Sequence, residues 1–196
     1  MIGGSCGLLL QSVPIGSVPN DLDIYVDARE ASLFHRALRR YAADEQQYSE
    51  TDKYCSVLSH YHIGDVAVEL VAGFTVKVPG ALYRIDIANV MKPFGCQVVL
   101  DGTEVGVMPL AHELLFNVLR DRPDRYEAVA ETMRKDLSRH LPALKAIVAM
   151  NELDGRWLQK ISSLLGCEIG GEGPEKGRTK PGEDDPTCAV RRNGTA

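Results

Sequence analysis

Gly3-Gly4-Ser5, a gap over residues 6–20, and then Asp21-Leu22-Asp23-Ile24 at the head of an apolar strand decide how this chain is read. Side chains alternate between the faces of a strand, so Asp21 and Asp23 point the same way and stand close together. Two ionised carboxylates in that position repel each other unless something positive lies between them, and a divalent cation is the common solution. The glycine-serine turn offers backbone N–H groups and a hydroxyl, which suit phosphate oxygens at a helix start. A phosphate holder followed by a metal holder points to chemistry on a nucleoside triphosphate.

The rest of the chain is consistent with a globular protein. Its 196 residues are 44% hydrophobic and 25% charged, enough for one domain with a helical appendage. A formal net charge of -5 argues against a nucleic-acid coat or a basic membrane binder. No apolar run reaches the roughly 20 residues of a membrane span. Leu8-Leu9-Leu10 is too short, and has no basic residues before it, for a secretion signal. Cys6, Cys55, Cys96, Cys167 and Cys188 are odd in number and form no Cys-x-x-Cys pair, so reduced thiols and a cytoplasmic location are expected.

The periodicities predict a short helix over 6–12, a loop through Pro14, Gly16 and Pro19, and a strand over 22–26. Asp27 and Glu30 have capping-box spacing ahead of a helix over 28–43, with Leu33, Phe34, Ala37, Leu38 and Tyr41 as its apolar stripe. A polar loop covers 44–53, followed by strands over 54–61 and 65–71 joined around Gly64. In the second of these strands Val66, Val68 and Leu70 share one face, and Asp65, Ala67 and Glu69 the other. Further β-like stretches cover 82–88 and 97–107, the latter turning at Asp101-Gly102. Helices follow from Pro109, from Pro123, over 142–150 and over 153–165. After Gly166 the composition turns to Gly, Pro, Glu, Asp, Lys and Arg, which predicts a flexible tail. The expected architecture is α/β (α+β): a mixed-sheet core over 1–108, a helical region over 109–166 and a tail over 167–196.

The order of these signals, a Gly-Gly-Ser turn, Asp-Leu-Asp-Ile and a later strand acid, Glu69, resembles the nucleotidyltransferase fold of the DNA polymerase beta superfamily. It is most similar to small prokaryotic nucleotidyltransferases, including minimal ones and those related to abortive-infection toxins. The resemblance spans about residues 2–165, with Pro109-Leu110-Ala111-His112-Glu113-Leu114-Leu115 as the following helix and Asp124-Arg125-Tyr126-Glu127 as its acidic pair. It implies that Gly3, Gly4 and Ser5 hold the phosphates of an NTP such as ATP. Asp21, Asp23 and Glu69 would bind Mg²⁺ (or Mn²⁺) and serve catalysis. A nucleoside monophosphate would then pass to a hydroxyl of tRNA, a protein or a small molecule. Three departures accompany it: Asn117 stands where the family has a lysine, no helix precedes Gly3, and the loop over 6–20 is long.

Rival readings are weaker. Asp86 competes with Glu69 for the third carboxylate, but the Glu69 strand lies nearer the Asp21 strand in the chain. Lys77, Arg84 and Lys92 are expected to be solvated charges, although each is a candidate for phosphate or acceptor contacts. His60 and His62 share a strand face without a partner set for zinc, and His112 is expected to be structural. No nucleophile elbow and no P-loop Gly-Lys-Ser/Thr is present. Two alternatives to the enzyme are an antitoxin-like regulatory module that keeps the fold without turnover, which Asn117 favours, and a purely structural interaction protein.

Overall fold

The computed structural model describes residues 1–169; the expected tail beyond them, Cys188 included, lies outside. The first elements are α1 (Gly4–Leu10), β1 (Asp21–Val26) and α2 (Ala31–Leu38). β2 (Gln47–Glu50), β3 (Tyr54–Ile63), β4 (Val66–Val78) and β5 (Ala81–Arg84) then form the body of a mixed sheet. β4 is its spine. One edge of β4 pairs antiparallel with β3, while the other pairs parallel with β1 and, further along, antiparallel with β5.

A short helix, α3 (Lys92–Phe94), leads to the hairpin β6 (Cys96–Leu100) and β7 (Thr103–Val107). Its turn has positive φ at both Asp101 (47°) and Gly102 (78°), the conformation that Asp-Gly hairpins favour. The start of the chain joins this hairpin to the main sheet. The Ile2 amide donates to the Gly106 carbonyl at 2.8 Å, and the Tyr25 amide donates to the Met1 carbonyl at 2.8 Å.

The second half is helical: α4 (Leu110–Leu119), α5 (Pro123–Arg134), α6 (Leu137–Ala149) and α7 (Gly155–Leu165), with β8 (Glu152–Leu153) returning to pair with β5. Every residue of α4 is buried, so it is the central helix against which the sheet, α5 and α6 pack. Leu114, Leu115, Met133, Leu144, Ile147 and Ile161 fill this core. The chain stays packed past Gly166, with Ile169 buried.

The structure corrects several local expectations. Asp27 does not cap the helix after it: its carboxylate accepts the amides of Ile87 (2.8 Å) and Ala88 (3.1 Å) instead. The expected helix over 28–43 divides into a 3₁₀ turn, α2 and a second 3₁₀ turn. Leu33 and Phe34 face solvent (62% and 37% exposed), because the buried side of α2 runs through Ala31, His35 and Leu38. Val66 is likewise 50% exposed, at the tip of the β3–β4 hairpin. The polar stretch over 44–53 contains β2, an edge strand paired with β3. The β-like stretch over 82–88 ends as a strand at Arg84, since Asp86 caps the wide helical turn Ile87–Met91. α6 begins at Leu137 rather than Pro142, with Asp136 at its cap accepting the Arg139 amide.

Candidate active site

β1 and β4 run side by side in a register that sets Asp23 opposite Glu69 and Asp21 opposite Ala67. Asp21, Asp23 and Glu69 therefore emerge on one face, and each offers a carboxylate oxygen within 4.8 Å of the others. Asp86 is not in this cluster; it accepts the amide of Asn89 at 2.9 Å. Burial, and then the charges of Asp21 and Glu69, push the Asp23 carboxyl up to about 6, with Arg120 pulling the other way. Glu69 is raised for the same first reason, burial, with His60 and Arg120 opposing and Asp21 adding to it. Three crowded carboxylates, Asp23 and Glu69 raised among them, are a donor set that fits a divalent cation.

The glycine-serine turn lies directly beside them. Gly4 has a φ of 57°, and a Cβ there would run into the Asp23 carboxylate. Only glycine gives both the left-handed backbone and the clearance. The Gly3 amide donates to the Asp23 carbonyl (3.1 Å) and the Gly4 amide to Glu113 Oε1 (2.9 Å), so both hold the turn in place. Ser5, in the first turn of α1, lines the adjoining cleft.

That cleft, about 470 Å³, has the carboxylates and Ser5 on its lining together with Arg120, Arg122 and Arg125. Aromatic rings complete it: Tyr54 stacks with Phe74 at 5.8 Å, and Phe74 meets Phe116 edge to face at 5.4 Å. The Arg120 guanidinium lies 4.7 Å from the centre of the Phe116 ring. Lys77, Arg84 and Lys92 do not line this cleft, and Lys77 pairs with Glu50 at 3.1 Å. His112 is fully buried, bonded through Nδ1 to the Tyr83 hydroxyl at 2.6 Å. Burial lowers its imidazole to about 3, so it is a neutral core residue, as expected. Asp124 is held by Arg122 at 2.8 Å and does not reach the carboxylate cluster.

No family model matches the chain, and no curated protein matches it. Among solved structures it is similar to a Thermotoga maritima protein provisionally designated a nucleotidyltransferase: 24% identity, 70% of this chain and 81% of that one covered, and a TM-score of 0.53. The fold is that of a nucleotidyltransferase.

Within this nucleotidyltransferase fold the sequence reading missed Glu113 as a residue of the cleft, and the partner of Asn117. Glu113 is 1% exposed, and burial pushes its carboxyl up to about 7 against the hydrogen bond from Gly4. Asn117 donates to the Glu113 carbonyl at 2.8 Å. A positive charge comes from Arg120, which acts on Asp23, Glu69 and Glu113 together. The available signal was three polar residues, His112, Glu113 and Asn117, inside an otherwise apolar helix. All three are buried, because α4 has no solvent face.

Proposed function

We propose that this protein transfers a nucleoside monophosphate from an NTP such as ATP to a hydroxyl of tRNA, a protein or a small molecule. The observation that carries the reading is the meeting of Asp21, Asp23 and Glu69 within 4.8 Å beside the Gly4-Ser5 turn, in a nucleotidyltransferase fold. These three carboxylates are the residues that would hold Mg²⁺ (or Mn²⁺). When bound, such an ion supplies neutralisation of the charge that develops on the attacking and leaving oxygens.

The chain's own residues take the remaining tasks. Gly3 and Gly4 shape the turn, and Ser5 presents its hydroxyl to the β- and γ-phosphates. Arg120 stands near the same carboxylates and offsets phosphate charge where the family uses a lysine. Tyr54, Phe74 and Phe116 give the base an apolar, aromatic lining. The alternative, a binding module without turnover, draws on Asn117; the charge of Arg120 at the same cluster favours the enzyme.

Incubation with α-³²P-labelled NTPs, Mg²⁺ and a bacterial cell extract tests this reading. Label is expected to enter an acceptor with wild type and to be lost with Asp21→Ala/Asp23→Ala; equal labelling by both refutes it.

A further inference from the structure

A second constellation stands next to the carboxylate cluster. The register of β3 on β4 sets His60 opposite Glu69, just as β1 sets Asp23 opposite Glu69. Asp23, Glu69 and His60 thus form one row across three strands, on one face of the sheet. Asp44 holds the histidine from the far side. One carboxylate oxygen accepts the His60 backbone amide at 2.8 Å, and the other meets Nδ1 at 2.5 Å. The Ala43 amide also donates to the His60 carbonyl at 2.8 Å, so the segment leading to β2 grips this residue from two sides.

A carboxylate that accepts from Nδ1–H fixes the imidazole tautomer and leaves the Nε2 lone pair available. Among the described residues no group is bonded to Nε2, and the ring is 51% exposed. A carboxylate-oriented imidazole is the common arrangement for taking a proton from a hydroxyl. His60 is not among the residues lining the cleft; it stands at the end of the row away from Ser5. Ser5 and α1 flank β1 on one side of the row, and His60 lies beyond Glu69 on the other. With the triphosphate held at Ser5, as proposed above, pyrophosphate departs on that side and in-line attack comes from the opposite side, toward the His60 end of the row.

We propose that His60, oriented by Asp44, is the catalytic base that binds and deprotonates the acceptor hydroxyl, an inference that rests on the nucleotidyl-transfer reading above. The hydroxyl proton passes to Nε2 as its oxygen forms a bond to the α-phosphorus. The bond from the α-phosphorus to the bridging oxygen breaks, and pyrophosphate leaves with that electron pair. The Asp44 carboxylate stabilises the imidazolium until the proton is lost to water.

Two measurements test the proposal. In the metal-free protein, long-range ¹H–¹⁵N spectra at pH 8 should find His60 with its proton on Nδ1; a proton on Nε2 overturns the assignment. In the labelled-NTP assay with bacterial extract, His60→Ala should lower transfer by ~10²-fold or more. The KM for NTP and the unfolding midpoint should be retained, and added imidazole should restore part of the rate. Asp44→Asn should lower kcat in the same way. Undiminished transfer by His60→Ala, or a loss that imidazole does not restore, overturns this role while leaving nucleotidyl transfer standing. Absence of transfer by wild type overturns both.

Discussion

The backbone amide of Gly4 donates to the carboxylate of Glu113, 109 residues further along the chain, at 2.9 Å. This bond fastens the glycine turn to the central helix, α4, while Asp23 fills the space where a Gly4 side chain would be. The position of the turn therefore depends on the helical half of the protein as much as on the strand it follows.

A methyl group at Gly4 meets both constraints at once. Gly4→Ala should cost about 1–3 kcal/mol for the left-handed backbone alone and displace the Asp23 carboxylate. Urea unfolding should record the loss of stability, and Mn²⁺ titration a weakened site.

The Asp23 carboxyl, raised to about 6, gives the metal-free protein a defined pH dependence. A raised acid favours the folded state while protonated; that contribution is complete below its unfolded pKa and is lost as pH rises through about 6. The unfolding midpoint without metal should fall between about pH 4 and pH 7. Mg²⁺ should raise the midpoint at pH 8 and have little effect at pH 4.

Glu113 makes the same kind of statement from inside the core, where burial raises it to about 7. Glutamine matches its shape and keeps an oxygen for the Gly4 amide. Glu113→Gln should be close to neutral at pH 5 and stabilising at pH 8, measured by thermal unfolding. Glu113→Leu, which leaves the Gly4 amide without its partner, should cost about 1–3 kcal/mol.

Arg120 supplies positive charge beside Asp23, Glu69 and Glu113. Arg120→Ala should weaken NTP binding on the order of tenfold, about 1.4 kcal/mol, and Arg120→Lys should recover part of it. Asn117→Lys would bury a cation where Arg120 is exposed, and should not substitute for Arg120. Calorimetric titration with an NTP and Mg²⁺ reads each case.

The site was legible where it depends on local pattern. Asp21 and Asp23 alternate on a strand, Glu69 shares a face with Ala67, and Gly3-Gly4-Ser5 reads as a turn from residue type alone. Parallel pairing of β1 with β4 then brings the three carboxylates together. Contacts over long separations were not legible. Asp27 was read as a cap for its own helix, yet it serves Ile87 and Ala88, sixty residues away. The burial of Glu113 and Asn117 was not legible, because spacing carries no information about α5, α6 and the sheet, which enclose α4. His60 lacked a partner set in sequence, since Asp44 meets it only when the segment at Ala42 and Ala43 bridges to β3.

Mn²⁺ titration of the wild type and of Asp23→Asn, each with a non-hydrolysable NTP analogue, tests most directly whether the three carboxylates form a cation site for a nucleotide. The wild type should bind the ion and the nucleotide together, and Asp23→Asn should lose ~10²-fold or more in ion affinity. Equal affinity in the two proteins would contradict the account.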